Sequence, residues 1–263
     1  MTFRLIASDL DGTWLGGTAG RYGFLPEGTE ALRRAAGRRV RIAVVSGRDF
    51  EFIPALLERE GVRYAEEGWP HYIVAEERDI YRLEGARYVP DKEWNAFAAA
   101  EERRHYETVR DGAAALLARE IGELDESAAR HPIELEKARG YVAIRFGDAE
   151  KAQQAEPILA AWLEQSGLPF RAVRNLMDIG LRHKWTGKGA ALARLCRRGG
   201  IPPAEVLAIG DSANDLSMLD GRYGFAGACP GNAEAVVKEA VRRNGGYVAE
   251  AGFGAGVAEI VGR

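Results

Sequence analysis

The chain has 263 residues, 46% hydrophobic and 29% charged, enough to bury a sizeable core in one large domain or two unequal ones. Lys plus Arg is 36 against 39 Asp plus Glu, and the net charge of −3 provides no electrostatic footprint for nucleic acid or an anionic membrane surface, so any anionic ligand must be held locally. Cys196 and Cys229 stand outside any C-x-x-C spacing, which argues against a disulfide framework or a zinc site, and no apolar stretch or leader-like start points to membrane or export; the expectation is a cytoplasmic protein.

In chain order, F-R-L-I-A-S-D (3–9) predicts a strand, Pro26 to Ala36 a helix with proline in its first turn, and V-R-I-A-V-V-S (40–46) a second strand. Asp49 predicts the cap of a helix running to about Glu60 with Pro54 early in it, and Y-I-V-A-E-E-R-D-I-Y-R-L from Tyr72 predicts a hairpin around a polar turn. An Ala-rich helical tract from about Asp91 to Glu120, broken near Gly112, is followed by a strand at 141–146 and a helix capped by Asp148 and kinked at Pro157. Strands at 170–174 and 176–181 complete an α+β segment, and the strand and helix alternation then resumes: Thr186 as the cap of a helix to about Arg198, a strand at 206–210, a helix from Asn214 to Leu219, and a strand at 223–228. The predicted architecture is α/β, a Rossmann-like parallel sheet flanked by helices and formed by 1–83 with 182–263, carrying an inserted α+β cap at 84–181.

In such a sheet, ligands bind beyond the carboxyl ends of the strands. Four places there carry polar residues in suggestive patterns. In S-D-L-D-G-T-W, Asp9 and Asp11 are two apart in extended chain and so face one side, although an isolated D-x-D also fits a solvated turn. In V-V-S-G-R, Ser46 offers a hydroxyl, Gly47 lets backbone approach a ligand, and Arg48 follows; a simple Ser-Gly turn has the same letters. In W-T-G-K-G, Lys188 falls in the first turn of a helix, where a cation opposes the helix dipole, and Lys184 nearby competes for the same role; lysine occupies only six positions in the chain. In G-D-S-A-N-D, Asp211, Asn214 and Asp215 follow a buried strand and would serve equally as helix caps. Four acids drawn to one water-poor site would repel, and a divalent cation with oxygen ligands, Mg²⁺ above all, removes that cost.

Together and in this order, D-L-D-G-T, S-G-R, the helix-start lysine and G-D-S-A-N-D resemble the haloacid dehalogenase superfamily of phosphotransfer enzymes. The resemblance implies Asp9 as nucleophile, Asp11 as general acid and base, and Ser46 and Lys188 as the phosphoryl-binding pair. It also implies Mg²⁺ held by Asp9, Asp211, Asp215 and the backbone carbonyl of Asp11, with Gly47, Arg48 and Asn214 at the substrate. The insert resembles the larger, type II cap of Cof-like and sucrose-phosphate phosphatase-like members, on Y-V-P-D-K-E-W (88–94), M-D-I (177–179) and K-G-A-A-L (188–192). The implied substrate is a small phosphorylated molecule, a hexose phosphate, sucrose phosphate or mannosyl phosphoglycerate. Two features depart from the pattern: Trp14 replaces a small aliphatic residue and is expected to pack against the cap or to line a sugar pocket, and 180–187 is longer than usual before Lys188.

Three other readings remain open on sequence. A phosphomutase would return the phosphoryl group to sugar, a sugar-phosphate-binding regulator would keep the fold without chemistry, and a D-x-D glycosyltransferase would leave three of the four motifs unexplained. Cap candidates for the leaving group are Arg130, His131, Lys137 and Arg139, and neither oligomeric state nor the individual substrate is legible.

Overall fold

The computed structural model describes residues 3–17, 22–122 and 141–263. Its chain divides into two compact units, Met1–Asn95 with Gly187–Arg263, and Ala96–Thr186. In the first, strands β1 (Leu5–Ser8), β2 (Leu15–Gly16), β3 (Gly23–Phe24), β4 (Arg41–Val45), β5 (Tyr72–Ala75), β6 (Asp79–Glu84) and β7 (Arg87–Pro90) precede the second unit's β8 (Val142–Arg145), β9 (Phe170–Asn175) and β10 (Asp178–His183). The chain then returns to the first unit as β11 (Val206–Ile209), β12 (Ala226–Cys229) and β13 (Tyr247–Val248).

The main sheet runs β13-β12-β11-β1-β4-β5-β6-β7, parallel from β13 to β5 and antiparallel through β6 and β7. Central parallel strands are apolar on both faces because helices cover both. Leu5 and Ala7 join one hydrophobic cluster with Ala43, Val45, Val206 and Ala208, whereas Ile6 joins the other with Ile42, Val44, Leu207 and Ile209. The period of two thus sorts each strand between two cores. Successive strands run from β1 to β4 on one side and the later strands lie on the other, so the order reverses beside β1. That reversal opens a crevice at the ends of β1, β4 and β11.

The expected boundaries at 84 and 181 fall within β6 and β10; the compact unit runs 96–186, because the β6–β7 hairpin belongs to the large sheet and β10 pairs along its whole length with β9. Within the second unit, β8-β10-β9 form an antiparallel sheet with a core of its own, built around Val109, Phe146, Leu159, Phe170 and Ile179.

The helical tract does not break at Gly112. It breaks at His105, between helices Lys92–Arg104 and Tyr106–Leu116, and Gly112 lies inside the second, where a Cβ would come within 2.3 Å of the Trp162 ring. There glycine permits close packing and does not mark a turn. Asp148 caps its helix as expected, accepting from Lys151 N at 2.8 Å; Asp49 lies one turn ahead of its helix, where Glu51 holds the cap position, and accepts from Phe52 N at 2.8 Å. Thr186 does not cap its helix: Gly187 holds the cap position, and the Thr186 hydroxyl donates instead to Glu102 Oε1 at 2.8 Å. Trp14 packs within the first unit, fully buried and stacked on Phe24 at 4.2 Å with its Nε1 donating to Thr29 Oγ1, so it lines no sugar pocket.

Candidate active site

Four chain segments converge at the strand ends. Asp9 continues β1, its N–H donating to Ile209 O at 2.9 Å, so its carboxylate leaves the sheet at the switch point. Gly12 then turns the chain back with φ +83°, and a Cβ there would meet the Asp211 carboxylate at 2.2 Å. Only glycine lets the first and fourth segments close together at that point. Thr13, fully buried, donates its hydroxyl to Asp211 Oδ1 at 2.7 Å and ties the same two segments.

Lys188 begins its helix, Lys188–Gly199, with a side chain only 1% exposed. Its Nζ lies 2.8 Å from Asp9 Oδ1 and 2.7 Å from Asp215 Oδ1. The other Asp215 oxygen accepts from the N–H groups of Asp211 and Ser212, at 3.0 Å each. Ser212, and neither Asp211 nor Asn214, caps the short turn, in a reciprocal capping box with Asp215. Lys184, by contrast, is exposed.

Asp9, Asp211 and Asp215 each offer a carboxylate oxygen within 4.8 Å of the others. Burial, then the charge of Asp215, push Asp9 well above the ordinary carboxylate value against the pull of Lys188. The same two causes push Asp211 up to about 7, opposed by the Thr13 hydrogen bond. Burial disfavours the Lys188 charge, yet Asp215, Asp9 and Glu77 together hold its pKa above the ordinary lysine value. Three carboxylates thus face one ammonium, a donor set that a hard divalent cation would complete.

Asp11 stands apart from that trio. Arg48 grips it with both ends, Nε to Oδ2 at 3.0 Å and an Nη to Oδ1 at 2.8 Å, and the Tyr22 hydroxyl donates to Oδ1 at 3.2 Å. Burial works against the Asp11 charge, but the Arg48 hydrogen bonds and charge win, holding Asp11 below its ordinary value. Ser46 is 1% exposed at the end of β4, its N–H donating to Val74 O and its Oγ accepting from Arg48 N at 3.2 Å. Gly47 has room for a Cβ at ordinary contact with Glu77, so protein packing does not demand glycine there. Asn214 is buried with both ends of its amide held: Oδ1 accepts from the Ser212 hydroxyl at 2.6 Å and Nδ2 donates to Glu77 Oε1 at 2.8 Å.

Sequence reasoning assigned no role to Thr13, Tyr22 or Glu77. Thr13 lay in plain view within D-L-D-G-T, Glu77 read only as part of a polar turn, and Tyr22 carried no signal. Arg130, His131, Lys137 and Arg139 lie outside the described residues.

Residues 2–262 match the family described as sucrose-6F-phosphate phosphohydrolase. The chain belongs to this family of haloacid dehalogenase phosphatases. Among curated relatives it is 25% identical over 248 residues to a phosphoglycolate phosphatase of Pyrobaculum aerophilum, covering 92% of this chain and 89% of that one. A phosphoglycolate phosphatase of Methanothrix thermoacetophila is 40% identical over 120 residues, a match that spans 46% of this chain and 48%, about half, of that relative. In fold, the chain superposes on the Synechocystis sucrose-phosphatase solved with sucrose and phosphate at TM-score 0.70 and 20% identity, over 100% and 98% of the two chains. A haloacid dehalogenase-like hydrolase of Bacteroides thetaiotaomicron gives 0.60 and 22%, over 100% and 99%. No described helix is long and apolar enough to cross a membrane.

Proposed function

We propose that the chain is a Mg²⁺-dependent phosphohydrolase that removes phosphate from a small phosphorylated metabolite, a sugar phosphate by family, through an aspartyl-phosphate on Asp9. The observation that carries this reading is the buried Lys188 ammonium seated between Asp9 and Asp215 with Asp211 beside them. A phosphate monoester repels an anionic nucleophile until its charge is offset. Lys188 supplies part of that offset, and Asp9, Asp211 and Asp215 would hold a divalent cation, which when bound supplies the rest and returns Asp9 to its ionised form.

The residues then divide the work. Asp9 attacks phosphorus in line, its carboxylate oxygen forming the new P–O bond while the ester P–O bond breaks. Asp11 gives its proton to the departing alkoxide and later takes one from the water that cleaves the intermediate. At rest, Arg48 holds Asp11 in the ionised form, so the acid role requires this clamp to loosen and Asp11 to take up a proton from solvent as the anionic substrate enters beside it. Ser46, at the end of β4, presents its hydroxyl to the phosphoryl oxygens, and Arg48 is then free to meet the substrate.

The test is phosphate release with Mg²⁺ across sucrose 6F-phosphate, hexose phosphates, mannosyl phosphoglycerate and phosphoglycolate, the last because a relative matched over 92% of this chain carries that name. Turnover of at least one substrate that disappears in Asp9→Asn is expected, and wild-type rates in that variant would sink the assignment. Isomerised sugar phosphate in place of free phosphate would turn the reading to a mutase. Asp11→Asn is expected to slow both formation and hydrolysis of the intermediate.

A further inference from the structure

Between β5 and β6 the chain turns through Glu76 and Glu77 at φ +51° and +57°, closed by Arg78 N–H on Ala75 O at 2.9 Å. Positive φ at both central residues is the territory of glycine, asparagine and aspartate, and two glutamates there store backbone strain. Strain of this kind persists only where surroundings over-determine it. Here they do: Glu76 N–H donates to Arg48 O at 2.8 Å, Glu77 N–H to Ser46 O at 2.9 Å, and the buried Arg78 is paired with Asp79 at 2.7 Å and Glu76 at 3.1 Å. The turn is thereby bolted to the loop that bears Ser46 and Arg48.

The Glu77 side chain reaches onward. Its Oε1 takes the Asn214 amide at 2.8 Å, and Asn214 in turn holds the Ser212 hydroxyl, one residue after Asp211 and three before Asp215. One residue therefore touches the loop after β4 through its backbone and the loop after β11 through its side chain. A turn serving only to reverse the chain gains nothing from glutamate at 77, since glycine fits the same φ without strain.

We propose that Glu77 is a positioning residue for the phosphatase reaction, fixing Asn214 and with it the Asp211–Asp215 loop relative to Ser46. The proposal rests on the phosphatase reading of the site. Its negative charge also adds to the field that keeps Lys188 protonated.

The experiment uses the full chain and the best substrate of the panel, and compares wild type, Glu77→Gly and Glu77→Gln by steady-state kinetics and thermal melting. Glycine removes both the strain and the side chain, so Glu77→Gly should melt no lower than wild type. It should nevertheless lose about tenfold in kcat with KM changed less than about twofold, the pattern of a misplaced catalytic loop. Glu77→Gln retains an acceptor for Asn214 and should recover most of the lost kcat. Wild-type kcat in Glu77→Gly, or a fall in kcat accompanied by a fall in melting temperature that Gln does not repair, overturns the inference while leaving the phosphatase reading in place. Absence of Asp9-dependent turnover in the wild type overturns that reading, and the inference with it.

Discussion

Both units of the molecule bury paired charge, and one of them also gathers a surplus of acid. In Ala96–Thr186, Glu102 is fully buried against Arg182 at 3.3 Å and the Thr186 hydroxyl at 2.8 Å, Arg174 meets Glu156 at 3.2 Å, and His183 lies 4.0 Å from Glu101. Among the described residues there, the buried Arg182 and Arg174 each meet a carboxylate, and His183 faces Glu101 as an imidazole whose pKa burial lowers. In the other unit Arg78 is paired with Asp79 and Glu76, but at the strand ends Asp9 and Asp215 share Lys188 with Asp211 beside them, a cluster of three carboxylates and one ammonium among the described residues. A fold keeps matched buried pairs for architecture, but a surplus of buried acid costs stability and persists where a cation and a phosphoryl group will complete it.

The largest effect should come from removing the one ammonium of the acidic cluster. Lys188→Ala is expected to reduce turnover by at least about 10³-fold and to destabilise the metal-free protein by about 3–5 kcal/mol, because Asp9 and Asp215 lose their counter-charge in a buried site. Kinetics and urea unfolding of the same preparation check both. Asp211→Asn, which relieves repulsion instead, should lose activity while melting no lower than wild type without metal. Equal stability losses in the two variants would erase the distinction between the units.

How much of this was legible in sequence depends on whether a residue's role is local. The strands at 3–9, 40–46 and 206–210 and the acids at their ends follow from apolar runs and glycine punctuation, so the letters D-L-D-G-T and G-D-S-A-N-D alone place these acids beyond the strand ends. Gly112, Thr186 and Trp14 went otherwise because what decides them is a distant side chain: the Trp162 ring, the Glu102 carboxylate and the Phe24 ring. Arg48 read as a substrate contact, and its grip on Asp11, 37 residues away, is equally non-local. Glu77 was hidden for a further reason, since E-E in a hairpin turn gives no hint that both residues adopt positive φ.

In the matched unit, Glu102→Ala should cost about 3–5 kcal/mol, because the buried Arg182 guanidinium loses the carboxylate 3.3 Å from it. Replacing both, Glu102→Leu with Arg182→Met, should recover most of that loss in denaturant unfolding, as apolar pairs of similar volume do. A double variant no better than the single would mean that the pair has a role beyond architecture.

Divalent metal offers a gentler probe of the surplus. Asp211 is raised from 3.8 to about 7 in the fold, so between those values the unfolded chain ionises while the folded one keeps its proton, and this group's contribution to stability falls as pH rises. Mg²⁺ needs the ionised form, and at a hundredfold excess over its dissociation constant it stabilises by about 2.7 kcal/mol. The gain in melting temperature with Mg²⁺ should therefore be larger at pH 8 than at pH 5, and a gain independent of pH would remove the acidic cluster as the binding site.

The smallest effect expected tests the matched unit by titration. Burial lowers the His183 pKa below its ordinary 6.5 while Glu101 and Glu102 oppose the shift, and His105 and Arg104 add to it. A depressed histidine contributes stability that is complete above pH 6.5 and is lost as pH falls through its folded value, since the unfolded chain takes up the proton first. Unfolding free energy of the wild type should decline over that window, whereas His183→Asn, which retains an acceptor for the Trp185 N–H now held at 3.2 Å, should decline less. If protonation strengthened the contact with Glu101 enough to offset burial, the two curves would run parallel, and the balance of charge in this unit would include a histidine cation.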